Sequence, residues 1–126
     1  MTRRRVLVVE DERLLGEAMC ELLRDDHDVE LATTVAAATK RLHEDASIEV
    51  ILCDVQLPDG TAVQIYSAYV AQWPDRAARF VFLTGGTDDP AVRALVTSGK
   101  HQVLRKPFDL DVLGPLIERQ ASLIRV

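Results

Sequence analysis

Four stretches of the sequence carry side chains whose types and placement could do chemistry. Glu10-Asp11-Glu12 follows the apolar run Val6–Val9, and Asp54 closes the run Glu49–Cys53. Thr84-Gly85-Gly86 follows Phe80–Leu83, and Lys106-Pro107-Phe108 follows Gln102–Leu104. Carboxylates gathered within a few ångströms repel one another and need a compensating charge. A hard divalent cation supplies it, and magnesium in particular works with one or two carboxylates, several waters and a phosphate. A carboxylate can also act as a nucleophile and form an acyl phosphate, and Asp54, at the end of a buried run, is best placed for that role. A metal and the Lys106 ammonium would together neutralise an incoming phosphoryl group. Thr84 would donate its hydroxyl to a phosphate oxygen, with Gly85 leaving space beside it. Each residue alone has an ordinary reading: acidic residues favour a helix N-terminus, a lone Asp is a turn residue, and Lys-Pro is a rigid turn. The reading rests on all of them falling at the same end of consecutive predicted strands.

Positioning these groups requires the apolar runs to be strands and the intervening segments to be helices. The four runs are continuous, as strands buried on both faces of a parallel sheet must be, and Val29–Ala32 is a weaker, alternating fifth. Leu14, Leu15, Ala18, Met19, Leu22 and Leu23 predict one apolar helix stripe, and Val35, Ala38 and Leu42 a second. Ile65, Tyr66, Tyr69, Val70 and Trp73 predict a third, closed by Pro74. Asp89-Pro90 opens a fourth helix with Val92, Leu95 and Val96 inward, and Gly99 stops it. Asp109 opens a fifth, carrying Leu113, Leu116, Ile117 and Ile124. Five strand–helix units with short loops predict an α/β doubly wound fold, a parallel sheet between two helix layers, because right-handed crossovers cover both faces. Such sheets bind ligands at the carboxyl ends of their strands.

With 126 residues, the chain fits one domain spanning 1–126, and 48% hydrophobic residues suffice for a core. Fifteen basic against 20 acidic side chains leave a net charge of −5, which argues against a nucleic-acid binder. Arg3, Arg4 and Arg5 form the only basic run and read as a solvated N-terminal tail. No apolar stretch approaches the roughly 18 residues of a membrane span, and no signal-peptide pattern is present. Two cysteines, Cys20 and Cys53, are too few for a disulfide framework, so a reducing cytoplasm is expected. His27, His43 and His101 lack metal-ligand spacing and read as surface residues. Alternation turns Cys53 away from Asp54 into the core, and Trp73 reads as packing.

In the stretches Val6-Leu-Val-Val-Glu10-Asp11-Glu12, Ile51-Leu-Cys-Asp54-Val-Gln-Leu57-Pro58-Asp-Gly60, Phe82-Leu-Thr84-Gly85 and Lys106-Pro107-Phe108, the chain resembles the receiver domain of two-component response regulators. The resemblance covers essentially the whole chain, and Thr84 and Lys106 follow Asp54 by 30 and 52 residues, spacings usual in that family. It implies a flavodoxin-like, three-layer α/β/α sandwich with five helices and strand order 2-1-3-4-5. Asp54 would be the phosphoacceptor, taking a phosphoryl group from the phosphohistidine of a histidine kinase or phosphotransfer domain. Glu10, Asp11, Asp54 and the backbone carbonyl of Gln56 would hold Mg2+, Thr84 would be the switch hydroxyl, and Lys106 would pair with the phosphate. A cis Lys106–Pro107 bond is implied as well. The protein would not be an enzyme beyond self-directed phosphoryl transfer and autodephosphorylation, and its output would pass to an effector that reads its surface.

Three positions depart from the family pattern. Val103 stands where many receivers place a Tyr or Phe that follows the threonine. Ala62 stands where many carry glycine, which predicts a different path for the loop after Asp54. Gly114-Pro115 interrupts the last helix, which should either begin at Pro115 or kink there; the surface built on it is then unlike the usual dimer or output face. A phosphohydrolase with an aspartyl nucleophile would carry a second Asp where this chain has Gln56. A nucleotide binder of the flavodoxin type would not place Glu10-Asp11-Glu12 where the phosphate sits. The rival that survives is a receiver fold that only docks, its phosphorylation uncoupled from the usual switch.

Overall fold

The structure, a computed structural model, describes residues 2–123. Ile124, placed by its sequence spacing in the last helix, lies outside the described residues. In chain order the elements are β1 (Arg5–Val9), α1 (Arg13–Arg24), β2 (Asp28–Ala32), α2 (Val35–Glu44), β3 (Val50–Asp54), β4 (Gln56–Leu57), β5 (Gly60–Thr61), α3 (Ala62–Gln72), β6 (Phe80–Thr84), α4 (Pro90–Thr97), β7 (Gln102–Arg105) and α5 (Leu113–Leu123). Short 3-10 segments, Pro74–Arg79 and Leu110–Val112, lead into β6 and α5.

Five strands form one parallel sheet in the order β2-β1-β3-β6-β7, which is 2-1-3-4-5 when the five are counted in chain order. β4 and β5 make a separate antiparallel hairpin that no periodicity announces. Period-2 alternation sends Leu7, Val9, Ile51, Cys53, Phe80 and Phe82 to the face covered by α2, α3 and α4. Val6, Val8, Val50, Leu52, Val81 and Leu83 face α1 and α5. All five residues of β3 and of β6 are buried, the reason their sequences read as unbroken apolar runs. Helix boundaries follow from caps. Thr34 accepts from the Ala37 N–H, Asp89 accepts from Ala91 and Val92, and Thr61 with Gln64 forms a capping box at α3.

Several expectations are corrected. Leu14 is 82% exposed and Leu22 is also exposed, so the inward stripe of α1 is Met19, Cys20 and Leu23. At about 100° per residue, Leu14 is carried some 140° around from Met19, onto the outer face. The last helix neither starts at Pro115 nor needs a kink. α5 begins at Leu113, so Pro115 falls in the first turn, where a missing N–H costs no helical hydrogen bond. Ala62 needs no correction: as an alanine should, it avoids positive φ, being the buried first residue of α3, and the hairpin's positive φ sits at Gly60.

Arg3–Arg5 is not a solvated tail. Arg3 pairs with Asp28 and covers the carbonyls of Arg24, Asp25 and His27 at the end of α1, Arg4 pairs with Glu49, and Arg5 pairs with Glu30 and Asp45. His27 is not a surface residue either; it is 1% exposed and its Nδ1 accepts from the Arg4 N–H at 3.1 Å. His101 is half-buried, edge-on to Tyr66 and Phe82, and His43 is exposed.

Candidate functional site

Parallel register brings four strand ends to one edge. Hydrogen bonds continue the sheet just past the strands, from Glu10 N–H to the Ala32 carbonyl, Val55 N–H to Leu83 and Lys106 N–H to Thr84. Glu10, Asp54, Thr84 and Lys106, far apart in sequence, therefore end on the same rim.

The Lys106 ammonium donates to Glu10 Oε1 at 2.5 Å and to Asp54 Oδ2 at 2.9 Å. All three groups are sheltered: the side chain of Glu10 is 0% exposed, that of Asp54 9% and that of Lys106 19%. Carboxylate oxygens of Glu10, Asp11 and Asp54 lie within 4.8 Å of one another, Asp11 being the exposed member. Burial pushes the Glu10 carboxyl up to about 7; Lys106 opposes this and Asp54 reinforces it. Burial pulls the Lys106 ammonium down, but its bonds to Glu10 and Asp54 outweigh that and leave it raised. One ammonium thus bridges two carboxylates with a third, Asp11, nearby, an acidic excess that calls for a further compensating charge. The oxygen-only donor set and the charge imbalance fit a hard divalent cation such as Mg2+.

The remaining groups surround this centre. Asp54 Oδ1 accepts from the Gln56 N–H at 3.3 Å, and the Gln56 side chain donates to Thr87 Oγ at 3.1 Å, joining the loops after β3 and β6. Thr84 is buried at the end of β6, and its Oγ accepts from the Gly86 N–H at 3.0 Å. A Cβ built on Gly85 would meet nothing within 4 Å, so there is room beside the threonine. The Lys106–Pro107 bond is cis. Cys53 faces the core, buried beside Asp54, and burial pushes its thiol far up, so it is inert as a thiolate. Val103 is half-buried in β7 opposite Phe82.

The structure brings Glu10, Asp11, Asp54 and Lys106 into direct reach and places Gln56 and Thr84 beside them. Sequence reasoning missed Thr87 and Asp59. Asp59, in the β4–β5 turn, accepts from the Val35 and Ala36 N–H groups at 2.7 and 3.1 Å and ties the hairpin after Asp54 to the start of α2. No pattern marks Thr87, whereas Pro58-Asp59-Gly60 is a legible turn.

The sequence matches the family described as response regulator receiver domain over residues 6–118. It is 28% identical over 121 residues to the hydrogenase transcriptional regulatory protein HoxA of Bradyrhizobium diazoefficiens, covering 96% of this chain and 24% of that protein. It is also 28% identical over 123 residues to the transcriptional regulatory protein PdtaR of Mycobacterium tuberculosis, covering 97% of this chain and 58% of that one. The chain therefore spans only part of the curated relatives it matches. Among solved structures, the non-phosphorylated HemR receiver domain from Leptospira biflexa superposes with a TM-score of 0.79 at 30% identity, covering 98% of both chains.

Proposed function

The chain belongs to the response regulator receiver domain family, and from that premise we propose that it is a phosphorelay receiver whose phosphoacceptor is Asp54. The observation that carries the reading is the Lys106 ammonium held between Asp54 and Glu10, with Asp11 on the same rim. Glu10, Asp11, Asp54 and the carbonyl of Gln56 would hold Mg2+, which when bound supplies positive charge for the phosphoryl oxygens. In the transfer, an Asp54 oxygen bonds to phosphorus as the P–N bond of a donor phosphohistidine breaks. The imidazole leaves with the electron pair and takes a proton from solvent. Lys106, already against Asp54, follows the new charge, and the Thr84 hydroxyl, whose oxygen accepts from the Gly86 N–H, turns its own proton to a phosphoryl oxygen. The added group brings about −1.5 to −2 charge to a rim that already has an acidic excess, and this drives rearrangement of the loops that carry Thr84 and Lys106.

On this reading residues 1–126 form one cytoplasmic signalling domain, whose partners are a histidine kinase or phosphotransfer domain and a downstream effector. It performs no chemistry on other molecules beyond accepting and losing its own phosphoryl group. Val103 supports a second reading, in which phosphorylation leaves the effector surface unchanged because no aromatic ring follows Thr84. Adding Mg2+ and beryllofluoride while recording amide shifts tests both. Shifts at Thr84 and Lys106 that spread to α4 and β7 are expected; shifts confined to the rim favour docking alone. Identical spectra for wild type and Asp54→Asn would overturn the phosphoacceptor assignment.

A further inference from the structure

We propose that His101 is a proton-controlled fastener for the carboxyl-terminal end of α4, so that protonating its ring loosens this helix without any change at Asp54. The ring is wedged between two elements. Its Nε2 lies 3.2 Å from the Tyr66 hydroxyl on α3, and it stands edge-on to Tyr66 and to Phe82 of β6, with centroids 5.2 Å away in each case. Tyr66 in turn meets Phe80 edge-on at 5.3 Å, which ties this corner to the core under α3. The helix it serves is otherwise lightly held. Among the described residues Val92 is the one buried side chain of α4, and the chain from Thr97 to Lys100, which leads into His101, is exposed. Gly99 in that connection has a φ of +77°, and a Cβ there would meet nothing within 4 Å. Beside the ring, between α3 and α4, an open cavity of about 370 Å3 leaves both ring and helix room to move.

The surroundings accommodate the neutral ring and not the imidazolium. An imidazolium donates from both nitrogens and needs an acceptor at each, whereas Nδ1 is buried with no partner in hydrogen-bond geometry. No counter-charge faces the ring. From α3 the titratable neighbour is Tyr66, and burial pushes its hydroxyl above the ordinary 10, so it stays neutral. α4 and its cap present Ala91, Ala94, Leu95 and Ser98 to the cavity, none of them ionisable, and β6 presents Phe82. Burial therefore holds the imidazole below its ordinary 6.5, the adjacent Lys100 ammonium lowers it further, and the Phe80 backbone only partly opposes them. Once protonated, the ring gains by leaving the slot between Tyr66 and Phe82 for the open cavity, where water solvates its charge. The end of α4 then loses its tie to α3. α4 follows the loop after Thr84 and precedes His101. A proton thus acts on this helix from the end opposite to Asp54, and the inference stands independently of the phosphoacceptor reading.

The test measures amide hydrogen exchange of the full chain, free of Mg2+, as pH is lowered from about 8 to about 5, with the intrinsic pH dependence of exchange divided out. The imidazole signals of His101 are recorded in the same samples and are expected to titrate below 6.5. Opening that returns the ring to water becomes easier by about tenfold for each pH unit below 6.5, until the ring is protonated in the closed form too. Protection of the Ala94, Leu95 and Val96 amides should fall accordingly, while the amides of α2 keep theirs. His101→Phe retains a ring that takes no proton and should make α4 protection independent of pH. Asp54→Asn should respond as wild type does. Wild-type α4 protection that ignores pH would overturn the proposal whatever the variants do. So would an imidazole that titrates at or above 6.5, the same pH dependence in His101→Phe, or its loss in Asp54→Asn.

Discussion

The two edges of the sheet use the same ion-pair chemistry and arrive at opposite balances. At the amino edge Arg3, Arg4, Arg5 and Arg41 are matched by Asp28, Glu30, Asp45 and Glu49, with side chains 20–53% exposed. At the carboxyl edge Lys106 alone serves Glu10 and Asp54, with side chains 0–19% exposed, and Asp11 adds a further carboxylate nearby. Pairs at the wet edge are each worth little, because water and salt screen them. Those at the sheltered edge are costly to break, because a buried charge without its partner is left unsolvated. The molecule therefore closes its charge balance where nothing has to change. It leaves an acidic excess open where a divalent cation would offset it.

The largest effect separating the edges is expected from Lys106→Met. It leaves Glu10 and Asp54 without their cation and should destabilise the protein by about 3 kcal/mol in Mg2+-free denaturant unfolding. Adding Glu10→Gln to that variant should recover part of the loss; a Lys106→Met protein as stable as wild type would show that the pair carries no such cost. At the other edge, Arg41→Ala removes the two-bond contact with Glu30 and should cost about 1 kcal/mol or less. That loss should shrink as salt is raised, and a cost equal to that of Lys106→Met would erase the contrast.

The smallest effect is a pH dependence at the amino edge. Hydrogen bonds from Ser47, then Arg5, hold the Asp45 carboxyl at about 2, below its ordinary 3.8. A carboxyl depressed by folding contributes stability that is present above pH 3.8 and is lost as pH falls toward 2. Asp45→Asn should therefore flatten the acid limb of the stability curve between those values, measured by urea midpoints. An unaltered acid limb would remove Asp45 from the balance.

Much of this geometry could be read from the residues. The runs ending at Val9, Asp54 and Leu83 are unbroken because both faces of the central strands are covered, and that made their carboxyl ends, and hence the chemical residues, easy to locate. β4 and β5 were not legible, since strands of two residues carry no period. Leu14 misled because an apolar side chain on an outer helix face looks the same in sequence as one in the stripe. His27 sits in the polar stretch Asp25-Asp26-His27-Asp28, and only the return of β1 beside it, bringing the Arg4 N–H, encloses the ring. The Arg3–Arg5 run looked like a tail for the same reason, because its carboxylate partners lie 25 to 45 residues away in the chain. Pro115 was ambiguous because sequence marks a proline but not where the turn before it begins; the 3-10 segment Leu110–Val112 settles that.

The central claim, that the acidic rim at the carboxyl edge accepts a phosphoryl group on Asp54 when a divalent cation offsets its charge, is tested most directly by intact-mass analysis after incubation with Mg2+ and a small phosphodonor. One phosphoryl group per wild-type chain, none on Asp54→Asn, and little on Lys106→Met or in the absence of Mg2+ is the predicted result. Equal phosphorylation of wild type and Asp54→Asn, or none on wild type with Mg2+ present, would contradict it.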